Sequence, residues 1–388
     1  MKNIILVGLI YDLNLGDQAI YEMTRFEVEE IFKEKNQKLN IDIVDLYGRK
    51  NCCQKKNYIL NFVKKVKNKI VGNINDSCNK VKNECEKKIN NNIDAIIFCG
   101  GGLIKYKQQK VICNTIKIVI QYAQKYNIPV MFSGVGVEGY DEDDLDCQKL
   151  KAEINKECVK YITTRDNIDL LNKYYIEDKD KIISAKVSDC VCSINQLYNF
   201  KKKETNTIGL GMIRSNLFLD YGINYSDENA INLYKEIYYK IIESGKKCKF
   251  FTNGGLTDEE FAKNLTKILN VDKNEILVER PKNTEDLIKT ITSFDGIIVG
   301  RLHASIIAYS YNIPSIGLVW NQKQKKFGET IGYPNRFIEY ENFNADKILY
   351  ELQKALKEGY SSIDNEEYKS TNYKYLKQFI TAFVFERK

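Results

Sequence analysis

The sequence predicts an α/β fold made of two doubly wound, parallel-sheet domains that face one cleft. Three observations lead there. Short apolar runs of strand length alternate with amphipathic runs of helical period, the pattern of a parallel sheet covered on both faces. That alternation occurs twice, and the lysine-rich stretch 198–206 separates the two runs. Glycine-rich turns follow several strands, at the edge where open α/β sheets take their ligands. A length of 388 residues suits two domains of ordinary size. Hydrophobic residues at 43% are enough for two cores.

In the first domain, 3–10 reads as a buried strand. Asp17 caps a helix that runs through Ile20, Met23, Phe26 and Ile31. Strands follow at 41–46 and 93–98, the latter ending in Cys99-Gly100-Gly101-Gly102. A helix spans 110–126. The strand 129–132 ends in Ser133-Gly134-Val135-Gly136, and 161–164 leads into Arg165-Asp166 and a further helix. In the second domain the expected strands are 208–213, 248–252, 276–279, 296–299 and 315–319, with helices between them. The predicted division is an N-terminal Rossmann-like domain at 1–198, a C-terminal one at 207–340 and a helical tail at 341–388.

Residues 50–92 stand apart. From Lys50 to Lys88 there are 11 Lys against three acids, and Ile59, Phe62, Val63, Val66 and Ile70 share one helical face. This reads as an amphipathic hairpin packed on its own domain. The second reading is a basic surface for peripheral contact with an anionic membrane or a lipid-linked substrate.

Composition excludes several classes. No window holds the roughly 18 uncharged apolar residues of a spanning helix. The opening Met1-Lys2-Asn3-Ile4 run leads too directly into a polar helix to be a secretory leader. A cytoplasmic protein is expected. The 11 cysteines are odd in number and show no CxxC spacing, so they read as reduced thiols. No His/Cys/Asp/Glu cluster has metal spacing, so no catalytic metal is expected. The net charge of +7 favours anionic ligands only weakly. Arginine is scarce, eight among 59 basic residues, and His303 is the one histidine of the chain.

That scarcity directs attention to Asp295-Gly296-Ile297-Ile298-Val299-Gly300-Arg301-Leu302-His303-Ala304, where a strand gives way to a helix. Arg301 and His303 sit at a helix N-terminus, where the dipole and open amides favour anions. Arg forks onto phosphate or carboxylate, and His donates to phosphate or passes a proton near neutral pH. Arg165 and Arg214 also follow strand ends, and Lys323 follows the next strand. Asp189 and Glu138 are the nearest carboxylates for a base. Asn14-Leu15-Gly16-Asp17, Gly100-Gly101-Gly102 and Gly134-Val135-Gly136 follow strands of the first domain. None is a dinucleotide fingerprint or a Walker loop, and three of them at one sheet edge outline a ligand cleft.

At these residues the chain resembles the polysaccharide pyruvyl transferase family. The similar pieces are Asn14 to Ile20, Gly100-Gly101-Gly102, Gly134-Val135-Gly136, Thr164-Arg165-Asp166, Gly211-Met212-Ile213-Arg214, Arg301-Leu302-His303 and the Pro314 strand leading to Lys323. They stand in the family's order across about 3–330. The resemblance implies a GT-B-like fold, phosphoenolpyruvate as donor and a sugar hydroxyl pair as acceptor. It implies a donor site of Arg301, Leu302, His303, Lys323, Arg214 and Arg165, with Arg301 and His303 catalytic. It implies an acceptor side around Asn14, Gly16, Asp17, Gly101, Gly102 and Gly134. The product would be a pyruvate ketal on a cell-surface glycan or its lipid-linked precursor, with no cofactor beyond phosphoenolpyruvate. Cys99 and Lys105 around the triple glycine, and Met212-Ile213 before Arg214, depart from the family pattern. Two other functions fit the same architecture less well. One is a nucleotide-sugar glycosyltransferase or epimerase, for which no Glu stands at a matching strand end. The other is a binder of nucleic acid or membrane through 50–92, which lacks Arg and a basic-aromatic groove, so no nucleic-acid partner is expected.

Overall fold

The computed structural model describes residues 1–51, 71–105, 110–219, 222–361 and 363–387. The apolar face expected at Ile59 to Ile70 lies outside the described residues. The chain forms two compact units. The first comprises 1–12, 20–190 and 368–388; the second comprises 13–19 and 191–367. The residues 341–388 are thus shared between both units, with the helix Ala345–Glu358 in the second and most of Ile363–Ile380 in the first.

The first unit holds a six-stranded parallel sheet in the order β2-β1-β3-β4-β5-β6. Its strands are β1 (Lys2–Gly8), β2 (Leu39–Asp45), β3 (Ala95–Lys105), β4 (Val130–Glu138), β5 (Val159–Thr164) and β6 (Ile183–Lys186). The run Ile4 to Val7 is buried throughout, because a central parallel strand carries helices on both faces. The helix Lys110–Lys125 turns Ile112, Ile116, Val119, Ile120 and Ala123 inward at helical spacing. The core of this unit gathers these side chains with Phe98, Phe132, Ile162 and Tyr175.

The glycine stretches of this unit differ from expectation. Gly100 to Gly102 lie inside β3, and Gly134 and Gly136 lie inside β4. The two strands continue past them, pairing Gly101 with Val135 and Lys105 with Glu138 across a register shift. Gly101 and Gly134 have φ of +81° and +59°, a backbone that bulges and then resumes the strand. A glycine run more often stops a strand than bends it, so the sequence pattern alone places the strand ends before these residues. The short edge strand β6 had no counterpart in the expected pattern, since four residues paired on one side leave little periodicity.

The second unit holds a five-stranded parallel sheet in the order β11-β10-β9-β7-β8. Its strands are β7 (Thr207–Gly211), β8 (Lys247–Phe251), β9 (Gly296–Val299), β10 (Ser315–Val319) and β11 (Phe337–Glu339). The expected strand at 276–279 is instead the end of a short helix, Lys273–Ile276, capped by Asp272, with one bridge from Leu277 to Phe250. The helices Asp227–Glu243 and Ala345–Glu358 supply Ile237, Ile241, Ile348 and Leu352 to the core. The sheet order reverses between β7 and β9. Gly211 pairs with both Val299 and Phe251, so the ends of β7, β8 and β9 lie level. Chain leaving β7 and β9 therefore emerges at the switch point, where open α/β sheets form their crevice. Among the described residues no helix is long and apolar enough to cross a membrane.

Candidate functional site

The site of the second unit begins where β9 stops. Trp320 Nε1 donates to Gly300 O at 2.5 Å, and Gln324 Nε2 donates to Val299 O at 3.4 Å. These bonds hold the end of β9 in place. Gly300 brings this end against the chain leaving β7, since a Cβ there would lie 2.5 Å from Ile213 Cγ2. Arg301 then takes the N-cap position in an extended conformation, and the helix Leu302–Ser310 follows. Leu302 and His303 are its first two residues, where unbonded amides and the dipole favour negative charge. His303 is buried to 7% exposure.

Arg301 is held by an acid that sequence reading missed. Its Nε and Nη2 both donate to Asp258 Oδ2, at 3.0 and 2.6 Å. The other oxygen, Oδ1, accepts the Arg214 backbone N–H at 3.4 Å. Asp258 is fully buried in the first turn of the helix Leu256–Ile268. Arg214 follows β7, and the turn before it is fixed by Tyr234, whose hydroxyl accepts from Ile213 N at 3.2 Å. Burial pushes that phenol well above its ordinary range. Arg214 Nε is buried without a hydrogen-bond partner.

The loop Leu13 to Asp17 belongs to this unit as well. Asn14 Nδ2 donates to Asp17 Oδ2 at 2.9 Å, and Asp17 N donates to Asn14 O at 3.0 Å, a turn that starts the helix Leu15–Glu34. Gly16 lies flat on the histidine. A Cβ at Gly16 would fall 2.6 Å from His303 Cβ and closer still to Nδ1 and Cγ. Leu15 N donates to Asn253 O at 3.2 Å. Gly254, at φ +97°, packs so closely that a Cβ would sit 2.6 Å from Leu13 O. Arg280 Nη1 holds Gly254 O at 3.0 Å, and its Nε lies 3.4 Å from Glu259. Lys323 completes the group on the first turn of the helix Gln322–Thr330, whose cap Asn321 accepts from Lys323 N at 3.1 Å.

The second unit thus carries His303, Arg301, Leu302, Arg214, Lys323, Asn14, Gly16 and Asp17. Arg165, Gly101, Gly102 and Gly134 belong to the first unit. Arg165 Nη1 there pairs with Asp189 Oδ2, both side chains buried. Glu138 lies 3.6 Å from Lys105. Gly134 faces Asn372, whose Oδ1 would stand 3.1 Å from a Cβ at that position. Burial pushes the Cys99 thiol up to about 12, so it is no nucleophile near neutral pH. The nine described cysteines are all free. Among the described residues no group of three or more His, Cys, Asp or Glu is placed to hold a metal ion.

Asp258, Arg280, Asn253 and Tyr234 are the residues that sequence reading passed over. The scarcity that singled out Arg301 marks Arg280 equally. Asp258 looked like an ordinary acid of a helix first turn, and only the fold brings it to Arg301.

A family model described as polysaccharide pyruvyl transferase matches residues 14–322. Comparison with curated proteins gave no match. Among solved structures, the UDP-GlcNAc 2-epimerase of Methanocaldococcus jannaschii superposes with a TM-score of 0.60 at 14% identity, covering 98% of this chain and 100% of that one. A putative UDP-N-acetylglucosamine 2-epimerase of Listeria monocytogenes gives 0.57 at 13% identity, covering 100% and 98%. The UDP-GlcNAc 2-epimerase of Neisseria meningitidis gives 0.53 at 12%, covering 100% of both. At such identities the likeness is one of fold, and it places the two parallel α/β sheets in a GT-B-like class.

Proposed function

The chain belongs to the polysaccharide pyruvyl transferase family, and on that premise we propose that it moves the enolpyruvyl group of phosphoenolpyruvate onto a sugar. The acceptor is a cell-surface glycan or its lipid-linked precursor, made on the cytoplasmic side. The observation that supports this most is the cationic group at the switch point of the second unit. There Arg301 and His303 open a helix, the Arg214 chain emerges beside them, and Lys323 opens the next helix. Phosphoenolpyruvate presents a phosphate and a carboxylate, and a group of fixed cations and helix amides matches both.

In this reading C3 of the enol takes a proton, which leaves an oxocarbenium-like centre at C2. One sugar hydroxyl adds at C2 and the C2–O bond to phosphate breaks. A second hydroxyl closes the ketal. Of the two hydroxyl protons released, one balances that taken up at C3 and the other leaves on phosphate. No electrons change hands, so the reaction calls for no redox cofactor. Arg301, Arg214 and Lys323 neutralise the donor. Asn14, Gly16 and Asp17 are the proposed acceptor side within the second unit. His303 donates the C3 proton or holds the departing phosphate, and His303→Gln separates these roles, because glutamine hydrogen-bonds but carries no transferable proton.

The test is phosphate release from phosphoenolpyruvate in the presence of a glycan acceptor. Arg301→Ala and His303→Ala are each expected to lower kcat/KM by about 100-fold or more. Wild-type turnover in either variant overturns the site assignment. A rise in Tm with UDP-sugars but not with phosphoenolpyruvate would overturn the reaction itself.

A further inference from the structure

We infer that Asp258 is the positioning residue of this site, aiming Arg301 at the donor and tying the ends of β7 and β9 together. The inference rests on the pyruvyl transfer reading for its ligand but not for its geometry. A guanidinium is planar and offers separate hydrogen-bonding edges. Asp258 takes the Nε–Nη2 edge through one oxygen. The plane is thereby fixed and the Nη1 side is turned away from the carboxylate. The Arg301 side chain keeps 24% of its surface exposed against 1% for Asp258, so the acid is a buried anchor and the arginine reaches outward from it.

The second oxygen does a different task. By accepting the Arg214 N–H, it joins the chain leaving β7 to the arginine that follows β9. These are the two strands that flank the switch point. One carboxylate thus sets the mutual placement of both arginines proposed to meet the donor. Gly255 leaves room for it, since a Cβ there would lie 3.1 Å from Asp258 Oδ2. The next residue repeats the device. Glu259 lies against Arg280, Arg280 holds Gly254, and Gly254 packs on Leu13. Leu13 leads to Gly16, which lies on His303. The first turn of the helix Leu256–Ile268 therefore steadies Arg301 directly and His303 through the loop over it.

Asp258 occupies one edge of the Arg301 guanidinium and leaves the Nη1 side directed away from it, so its effect on the donor is one of alignment. This separates Asp258 from an acid that merely stabilises the fold. In Asp258→Asn, one carbonyl must serve three donors, the amide NH2 faces either the guanidinium or the Arg214 N–H, and the guanidinium regains rotation. The expected result is a kcat lowered about 30-fold or more with KM for phosphoenolpyruvate within about 3-fold of wild type, since binding keeps its cations while alignment is lost. On an Arg301→Ala background the same change should cost less than about 3-fold, because the residue acts through Arg301. Asp258→Glu should recover part of kcat. The physical arm needs no substrate: with arginine labelled by nitrogen-15, the slowly exchanging Arg301 Nε–H resonance of the wild type should vanish in Asp258→Asn. Losses that multiply in the double variant, or an unchanged Nε–H resonance in Asp258→Asn, overturn the inference. A wild type that releases no phosphate from phosphoenolpyruvate overturns the reaction, and the Nε–H resonance then decides the role of Asp258 alone.

Discussion

Two glycines, Gly16 and Gly134, stand in runs of nearly the same appearance, and they do opposite things. Gly16 lets a loop lie against an imidazole at a helix N-terminus. Gly134 lets a strand bulge and press on Asn372 of the helix Ile363–Ile380. Around Gly16 the neighbours are groups fit for an anion, and acids on the adjoining helix hold the arginines in place. Around Gly134 the neighbours are partners of one another. Gly134 N donates to Thr163 Oγ1 at 2.8 Å, and Ser133 Oγ donates to Asn372 Oδ1 at 3.1 Å. Asn372 Nδ2 in turn donates to Glu27 at 2.7 Å. The difference teaches that a glycine at a strand edge marks close approach, and the thing approached decides between function and packing.

Gly16→Ala tests the functional side and carries the largest expected effect. The new methyl would occupy the space of the His303 ring, which is buried and cannot swing aside. A displacement of about 1 Å at a reacting group costs on the order of 100-fold in rate. We expect kcat/KM for phosphoenolpyruvate to fall by about that factor with far-UV circular dichroism unchanged. Near-wild-type turnover would mean that the contact with His303 has no bearing on the reaction.

Gly134→Ala tests the packing side and should be milder in kind. Its φ of +59° disfavours any side chain by about 1 kcal/mol, and the contact with Asn372 Oδ1 adds to that. The expected outcome is a stability lowered by about 1–3 kcal/mol in urea melts, with phosphate release per folded molecule within about 3-fold of wild type. A loss of turnover in a variant of unchanged stability would move Gly134 to the functional side and erase the contrast.

Much of this was legible beforehand. Buried parallel strands announce themselves as continuous apolar runs, so β1, β9 and β10 were readable, and so was the strand-to-helix junction at Gly300 to His303. The glycine bulges were not readable, because a residue in the left-handed region ends a strand as readily as it bends one. Asp258 was hidden for another reason. It lies 43 residues from Arg301, in a first turn where acids are common for dipole reasons alone. Nothing local distinguishes an acid that caps a helix from one that also reaches across a switch point. The placement of 13–17 with the second unit is equally non-local, since the segment sits between two stretches of the first.

The smallest effect lies deepest in the packing cluster. Glu27 is buried to 2% exposure and accepts from Asn372. Burial raises its pKa to about 8 from an ordinary value of 4.5, and the charge of Asp189 adds to the rise while the Asn372 bond opposes it. A carboxyl whose pKa is higher in the folded chain binds its proton more tightly there. Its contribution is therefore fully present below the ordinary carboxylate range, is lost as pH rises from about 4.5 toward about 8, and is level beyond. Glu27→Gln keeps an acceptor for Asn372 and removes the ionisation. Relative to wild type, this variant should gain Tm steadily between pH 5 and pH 8, by a few degrees in all (roughly 4–8 °C per kcal/mol in small domains, less in a chain of this size). Its phosphate release at any one pH should stay within about 2-fold of wild type, because Glu27 serves the helix Ile363–Ile380 and not the donor. A parallel pair of Tm curves across that window would show that Glu27 is ionised in the fold. A change in the pH profile of turnover would join the packing cluster to the chemistry and erase the contrast between the two glycines.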